Sequence, residues 1–156
     1  MKLIHAFGTA ALALAALLPV PAAAQSDKPL ATRDLDTEGI VAEVIESVRK
    51  DGVLTVRVRF RNKSDKPIKF LVVHSGRYDD NYVSAGNTKY TIIRDQKKNP
   101  VATPTDGGGW IETTIKPKGT FNWWAKFPAP PADQKTYTLY LKVGPPIEDV
   151  PIVDKG

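Results

Sequence analysis

The chain has 156 residues, 22 basic against 17 acidic side chains, a net charge of +5 and no cysteine. That length fits one domain able to bury a core without covalent staples. The missing cysteines exclude disulfides, thiol chemistry and cysteine-ligated metals, and a modest basic excess with no dense basic run argues against nucleic acid as a partner.

Lys2 opens a short positive start, and Leu3 to Val20 is almost wholly apolar before Pro21-Ala22-Ala23-Ala24. Residues 1–24 therefore read as a secretory signal peptide cleaved before Gln25. Its uninterrupted apolar core, Ala10 to Leu18, is too short to span ~30 Å of hydrocarbon, so no transmembrane segment is expected after cleavage. With no cysteine for a lipid anchor and no twin arginine, the expectation is Sec-type export to the periplasm or the medium.

Residues 25–38 are polar with weak periodicity and read as a flexible lead-in to one domain over residues 39–156. Ile40 to Val48 is β-rich, and Asp51-Gly52 suits a tight hairpin turn. Leu54, Val56, Val58 and Phe60 then alternate with Thr55, Arg57, Arg59 and Arg61, as in a half-buried antiparallel strand. Ile68 to His74 is a further apolar run. Ser75 to Asn87 is a polar loop with a short strand near Tyr82-Val83, followed by a strand over Lys89 to Arg94. Thr103 to Gly109 is a loop and Trp110 to Ile115 a strand. Thr120 to Phe127 alternates, with Phe121, Trp123, Ala125 and Phe127 opposite Asn122, Trp124 and Lys126. Pro128 to Pro131 ends that strand. Tyr137, Leu139, Leu141 and Val143 form one face of the next, and Val150 to Val153 is a short edge strand. Seven to eight strands with frequent turns predict an all-β, immunoglobulin-like antiparallel β-sandwich without a disulfide.

Asp133, Tyr137 and Leu139 have the spacing of the corner in which an immunoglobulin-type Tyr hydroxyl ties strands together. Three further segments carry a wider likeness. Trp124-Ala125-Lys126-Phe127-Pro128-Ala129-Pro130-Pro131, Thr138-Leu139-Tyr140-Leu141 and Pro146-Ile147-Glu148-Asp149-Val150-Pro151-Ile152 resemble a family of exported bacterial immunoglobulin-like domains of unknown function. That family often has Phe where Ile147 stands. The resemblance covers about a third of the chain after the signal; it implies fold and export and brings no catalytic residue or ligand.

Catalytic candidates are few. His74 is the only histidine after the signal, no Gly-x-Ser-x-Gly elbow is present, and an enzyme is not expected. One histidine and no cysteine cannot make an ordinary zinc site, so no metal centre or cofactor is assigned. Asp34 to Gly39 imitates the start of an EF-hand, but Ile45 stands where the bidentate Glu belongs. Asp79, Asp80, Asn81 and Asp106 are candidate loop ligands for calcium or a small molecule, against a plain role as turn formers. The adjacent pairs Glu148-Asp149 and Asp79-Asp80 do not set the spacing a glycosidase needs.

Two surface features point to binding. Arg57, Arg59 and Arg61 share one strand face and form a basic ladder of about 13–14 Å, with Glu43 and Glu46 as candidate partners. Trp123 and Trp124 point to opposite faces, so Trp123 belongs to the core while Trp124, beside Lys126, is a candidate interface anchor. The expected function is a non-enzymatic binding or accessory module of the bacterial cell envelope. An envelope protein or an anionic glycan is the expected partner. The alternative is a small-ligand or calcium-binding periplasmic protein using the 75–87 and 103–110 loops.

Overall fold

The computed structural model describes residues 28–155, so the expected signal peptide over 1–24 lies outside the described residues. In chain order the strands are β1 (Ala31–Asp34), β2 (Ile40–Lys50), β3 (Val53–Asn62), β4 (Ile68–Val73), β5 (Tyr82–Ala85) and β6 (Thr88–Thr91). They continue as β7 (Ile111–Ile115), β8 (Thr120–Pro128), β9 (Thr136–Tyr140), β10 (Ile147–Pro151) and β11 (Val153–Asp154). One 3₁₀ turn, Tyr78–Asp80, is the sole helical element among the described residues.

The expected all-β class with antiparallel, sandwich-like sheets and no disulfide is observed, with eleven strands in place of seven or eight. A long sheet runs β1-β2-β3-β8, with β11 added in parallel to the edge of β2. Facing it are a second sheet, β10-β9-β5-β6, and the two-stranded ribbon β4-β7. Apart from β11, every pairing is antiparallel. Asp51 and Gly52 take φ of 50° and 74°, the doubly positive pair that closes a two-residue hairpin with the right twist.

The core follows from alternation. Leu54, Val56, Val58 and Phe60 sit in register with Phe127, Ala125, Trp123 and Phe121 across β3 and β8. Opposite them lie Val83, Tyr137, Leu139, Leu141, Ile147 and Val150, with Phe70, Val72 and Ile115 from the ribbon, all in one apolar cluster. Burial of each large side chain stabilises by roughly 1.5–3 kcal/mol. Phe60 packs at 4.9 Å, centroid to centroid, on Phe70.

Four expectations need correction. The 25–38 lead-in contributes β1, held by backbone pairing to β2 and by Leu35 in the core; the domain therefore begins before residue 39. The short strand expected near Tyr82-Val83 is β5, but the strand expected at 89–94 is β6, starting at Thr88 and ending at Thr91. The 150–153 strand is two elements, β10 and β11. The tyrosine corner is not made. The Tyr137 hydroxyl is buried near Ser47, and neither oxygen has a hydrogen-bond partner among the described residues. Burial raises the Tyr137 pKa well above its ordinary value.

A bulge organises the end of β2. The register shifts between Val44 and Glu46, so Ile45 is the extra residue. Alternation resets there, and Ser47 and Arg49 become the inward residues, 1% and 8% exposed. Arg49 turns this into a clamp. Its Nε and Nη2 donate to the two Asp154 carboxylate oxygens at 2.6 and 3.0 Å. Its Nη1 donates to the carbonyls of Pro130, Pro131 and Gln134 at 3.0, 2.6 and 3.2 Å, and Nη2 to Ala132 at 3.3 Å. One guanidinium thus fastens β11 and the proline-rich β8–β9 connection, whose carbonyls are not spent in a ladder.

Candidate functional site

The outer face of the long sheet carries the residues singled out for binding. Register places Glu43 opposite Arg59, Glu46 opposite Arg57, and Val41 opposite Arg61. On the other side of β3, Arg57 faces Trp124, Arg59 faces Asn122, and Thr55 faces Lys126. The β8 edge is extended by the 101–103 segment. Ala102 bridges to Ala125, and the Thr103 amide donates to the Trp124 carbonyl at 2.8 Å while Thr103 Oγ1 accepts from the Trp124 amide at 2.9 Å. Trp124 therefore lies in mid-sheet, half-buried, with paired neighbours on both sides. The candidate Trp anchor on the outer face is partly exposed.

The basic ladder is not three equivalent cations. Arg59 Nε donates to Glu43 Oε2 at 2.5 Å and Arg61 Nε to Oε1 at 2.9 Å, so one carboxylate holds two guanidiniums. Burial would raise the Glu43 carboxyl, but the hydrogen bonds from Arg61 and Arg59 outweigh it and hold the group below its ordinary range. Arg57 is held more loosely, with Nε 3.3 Å from Glu46 Oε2. Within each pair the acid is the less exposed partner: the Glu43 side chain is 12% exposed against 19% for Arg59 and 36% for Arg61, and Glu46 22% against 46% for Arg57. Lys126 is exposed and has no ion pair among the described residues. The layer nearest solvent is therefore positive around Trp124.

The four candidate loop ligands do not converge. Asp79 pairs with Arg94 at 3.0 Å, and Asp80 with Arg77 at 3.7 Å. Asn81 is buried, its Oδ1 accepting the Lys142 amide at 3.0 Å. Asp106 Oδ1 accepts the amides of Gly108 and Trp110 at 2.9 and 2.8 Å and so shapes the glycine loop. No group of three or more His, Cys, Asp or Glu side chains gathers among the described residues. These four residues are turn and strap residues rather than one ligand set.

His74 is exposed, edge-on to Trp110 at 4.1 Å between centroids, with Nδ1 2.9 Å from the Ser75 hydroxyl. No carboxylate orients it among the described residues. A nucleophile–base–acid arrangement is therefore not built there. Trp110 packs edge-on against this histidine, and Gly109, at φ 82°, lets the two loops meet through a 2.7 Å bond from the Gly76 amide to its carbonyl.

Two further surface features escaped the sequence reading. Tyr82 and Tyr140, in register across β5 and β9, stack at 4.5 Å on the outer face of the second sheet. Lys89 Nζ lies 3.9 Å over the Tyr82 ring. Their positions beside the core residues Val83 and Leu139 were the available signal. Both faces of Tyr82 are already occupied, which leaves the pair a structural stack. A hollow of ≈ 260 Å³ lined by Tyr78, Asn99, Pro100, Ala102, Pro104 and Thr105 holds no charged group and falls below the roughly 300–1,000 Å³ usual for ligand pockets.

Compared with protein-family models, curated proteins and solved structures, the chain matches none.

Proposed function

We propose that this protein is a non-enzymatic binding or accessory module, exported to the bacterial cell envelope, that engages an anionic partner through the outer face of its long sheet. One observation carries the reading: on that face each carboxylate is less exposed than the arginine it pairs with, and Arg57 and Lys126 stand beside a partly exposed Trp124. Arginine and tryptophan are the residue types that dominate interface energetics. A flat sheet face offers them without a loop to order first. Export rests on the apolar leader and alanine-rich end of residues 1–24, and the C-terminal likeness to exported immunoglobulin-like domains fits the same location.

A crosslinked capture from native envelopes tests the reading. The tagged full chain is compared with an Arg57→Ala/Arg59→Ala/Arg61→Ala variant and with Trp124→Ala, each checked for an unchanged melting profile. The wild type should retain a partner that both folded variants lose, and raised salt should weaken retention. Equal capture by the triple variant overturns the assignment of this face. Sequencing the N-terminus of the captured protein checks export independently, with Gln25 the expected first residue.

A further inference from the structure

We propose that the ligand of this face is an acidic saccharide, seated with a flat sugar face on the Trp124 indole and its carboxylate between Arg57 and Lys126. This rests on the binding face proposed above and narrows it to one chemistry. The register supplies the geometry. Arg57 stands directly across from Trp124, and Lys126 stands two residues along β8, across from Thr55. Arg57 and Lys126 are thus diagonal neighbours with Cα atoms about 7–8 Å apart, within joint reach of one carboxylate for two long side chains. Neither Trp124 nor Lys126 has an acid as its cross-strand partner on β3.

The surroundings match a sugar better than a hydrocarbon or a long polyanion. Asn122 and Thr55 flank the indole on the same face and offer neutral hydrogen-bonding groups suited to hydroxyls. An extended acidic chain tracking the whole ladder would need Arg59 and Arg61 as well, and Glu43 holds both, whereas Arg57 pairs with Glu46 more loosely, at 3.3 Å, and is the most exposed of the three. The anion site is therefore local to Arg57 and Lys126. A half-buried indole with one cationic residue directly across the sheet and another two residues along its own strand suits a ring whose faces carry C–H groups and whose edge carries one charge.

The test is calorimetric titration of the full protein at low salt with trigalacturonate, maltotriose and triglutamate. Trigalacturonate should bind, with maltotriose and triglutamate each weaker by about ten-fold or more. Trp124→Ala should lose about ten-fold or more, and Trp124→Tyr, which keeps a flat ring, should stay within a few-fold of wild type. Arg57→Gln and Lys126→Gln should each weaken binding several-fold, while Arg61→Gln should stay within about two-fold. Absence of trigalacturonate binding at millimolar concentration overturns the proposal, as does triglutamate binding equally well or indifference to Trp124→Ala. The two failures separate cleanly. If envelope capture is lost in the triple arginine variant but trigalacturonate does not bind, the face stands and the saccharide falls. If capture also survives that variant, both fall.

Discussion

Tyr137→Phe is the sharpest probe of this core, because the sequence and the structure give it opposite signs. The Asp133-Tyr137-Leu139 spacing predicts a hydroxyl that ties two strands, and losing such a bond costs about 1–2 kcal/mol. The structure buries the hydroxyl of a residue only 3% exposed, close enough to Ser47 for that hydroxyl to offset part of the effect of burial on its pKa, but the two oxygens do not meet hydrogen-bond geometry and neither has another partner among the described residues. An unpartnered buried hydroxyl carries a desolvation penalty of about 1–3 kcal/mol. Phenylalanine removes that penalty and forfeits the contacts of one oxygen, worth a few tenths of a kcal/mol. The net expectation is about 0.5–2.5 kcal/mol stabilising, which raises the melting temperature by several degrees for a domain of this size.

Urea unfolding at pH 7 of wild type, Tyr137→Phe, Ser47→Ala and the double variant completes the measurement. A coupling below about 0.5 kcal/mol means the two hydroxyls do not bond each other. The pH dependence gives a second readout. Burial raises the Tyr137 pKa, so between the unfolded value near 10 and the higher folded value the unfolded state has lost a proton that the native state keeps. Tyr137 therefore contributes stability that is complete below about pH 10 and declines as pH rises above it. Tyr137→Phe should flatten that alkaline limb. A loss above about 1 kcal/mol at pH 7 with strong coupling to Ser47 refutes the reasoning and restores a bonded tyrosine.

Arg49→Met should cost about 2–4 kcal/mol, because it removes the guanidinium donor from the carbonyls of Pro130, Pro131, Ala132 and Gln134 and leaves Asp154 with only the 3.7 Å contact to Lys135. Amide exchange should show the loss first at Ile152 and Lys155, whose amides bond to Lys135 and to residue 49. Glu43→Gln should cost about 1–3 kcal/mol at neutral pH by weakening two charge-assisted bonds. Because the folded Glu43 pKa is depressed, its contribution is present above the ordinary value of 4.5 and disappears as pH falls through the lower folded value. Denaturant titrations between pH 2 and 7 should show a shallower acid limb in the variant, and an unchanged slope refutes the assignment.

Where period-two alternation is uninterrupted, the sequence was a reliable guide. The inward set of β3 and β8, the opposition of Trp123 and Trp124, and the Asp51-Gly52 turn all follow from the pleat and from positive φ. What failed was whatever depends on long-range pairing. The Ala31–Asp34 strand carries little local signal, and its place is set by pairing with Val41 to Val44 and by Leu35 entering the core. The acids of the 75–110 loops look like a ligand set only until their partners, Arg94, Arg77 and backbone amides, are known.

The bulge at Ile45 explains the largest gap between reading and result. Glu43 and Glu46 are three residues apart, so in an unbroken strand they would face opposite ways, one of them into the core. The inserted residue puts both carboxylates on the outer face, opposite Arg59 and Arg57. The same step sends Ser47 and Arg49 inward, to Tyr137 and to the β11 clamp. No residue near Ile45 announces this. The driving force is collective, since ion pairing outside, clamp formation inside and the burial of Val44 before the bulge are satisfied together only if one residue is spent. Partial neutralisation of the arginine ladder is thus a consequence of core packing, and Arg57, more loosely held than Arg59 and nearest Trp124, is the cation that packing leaves most accessible to a ligand.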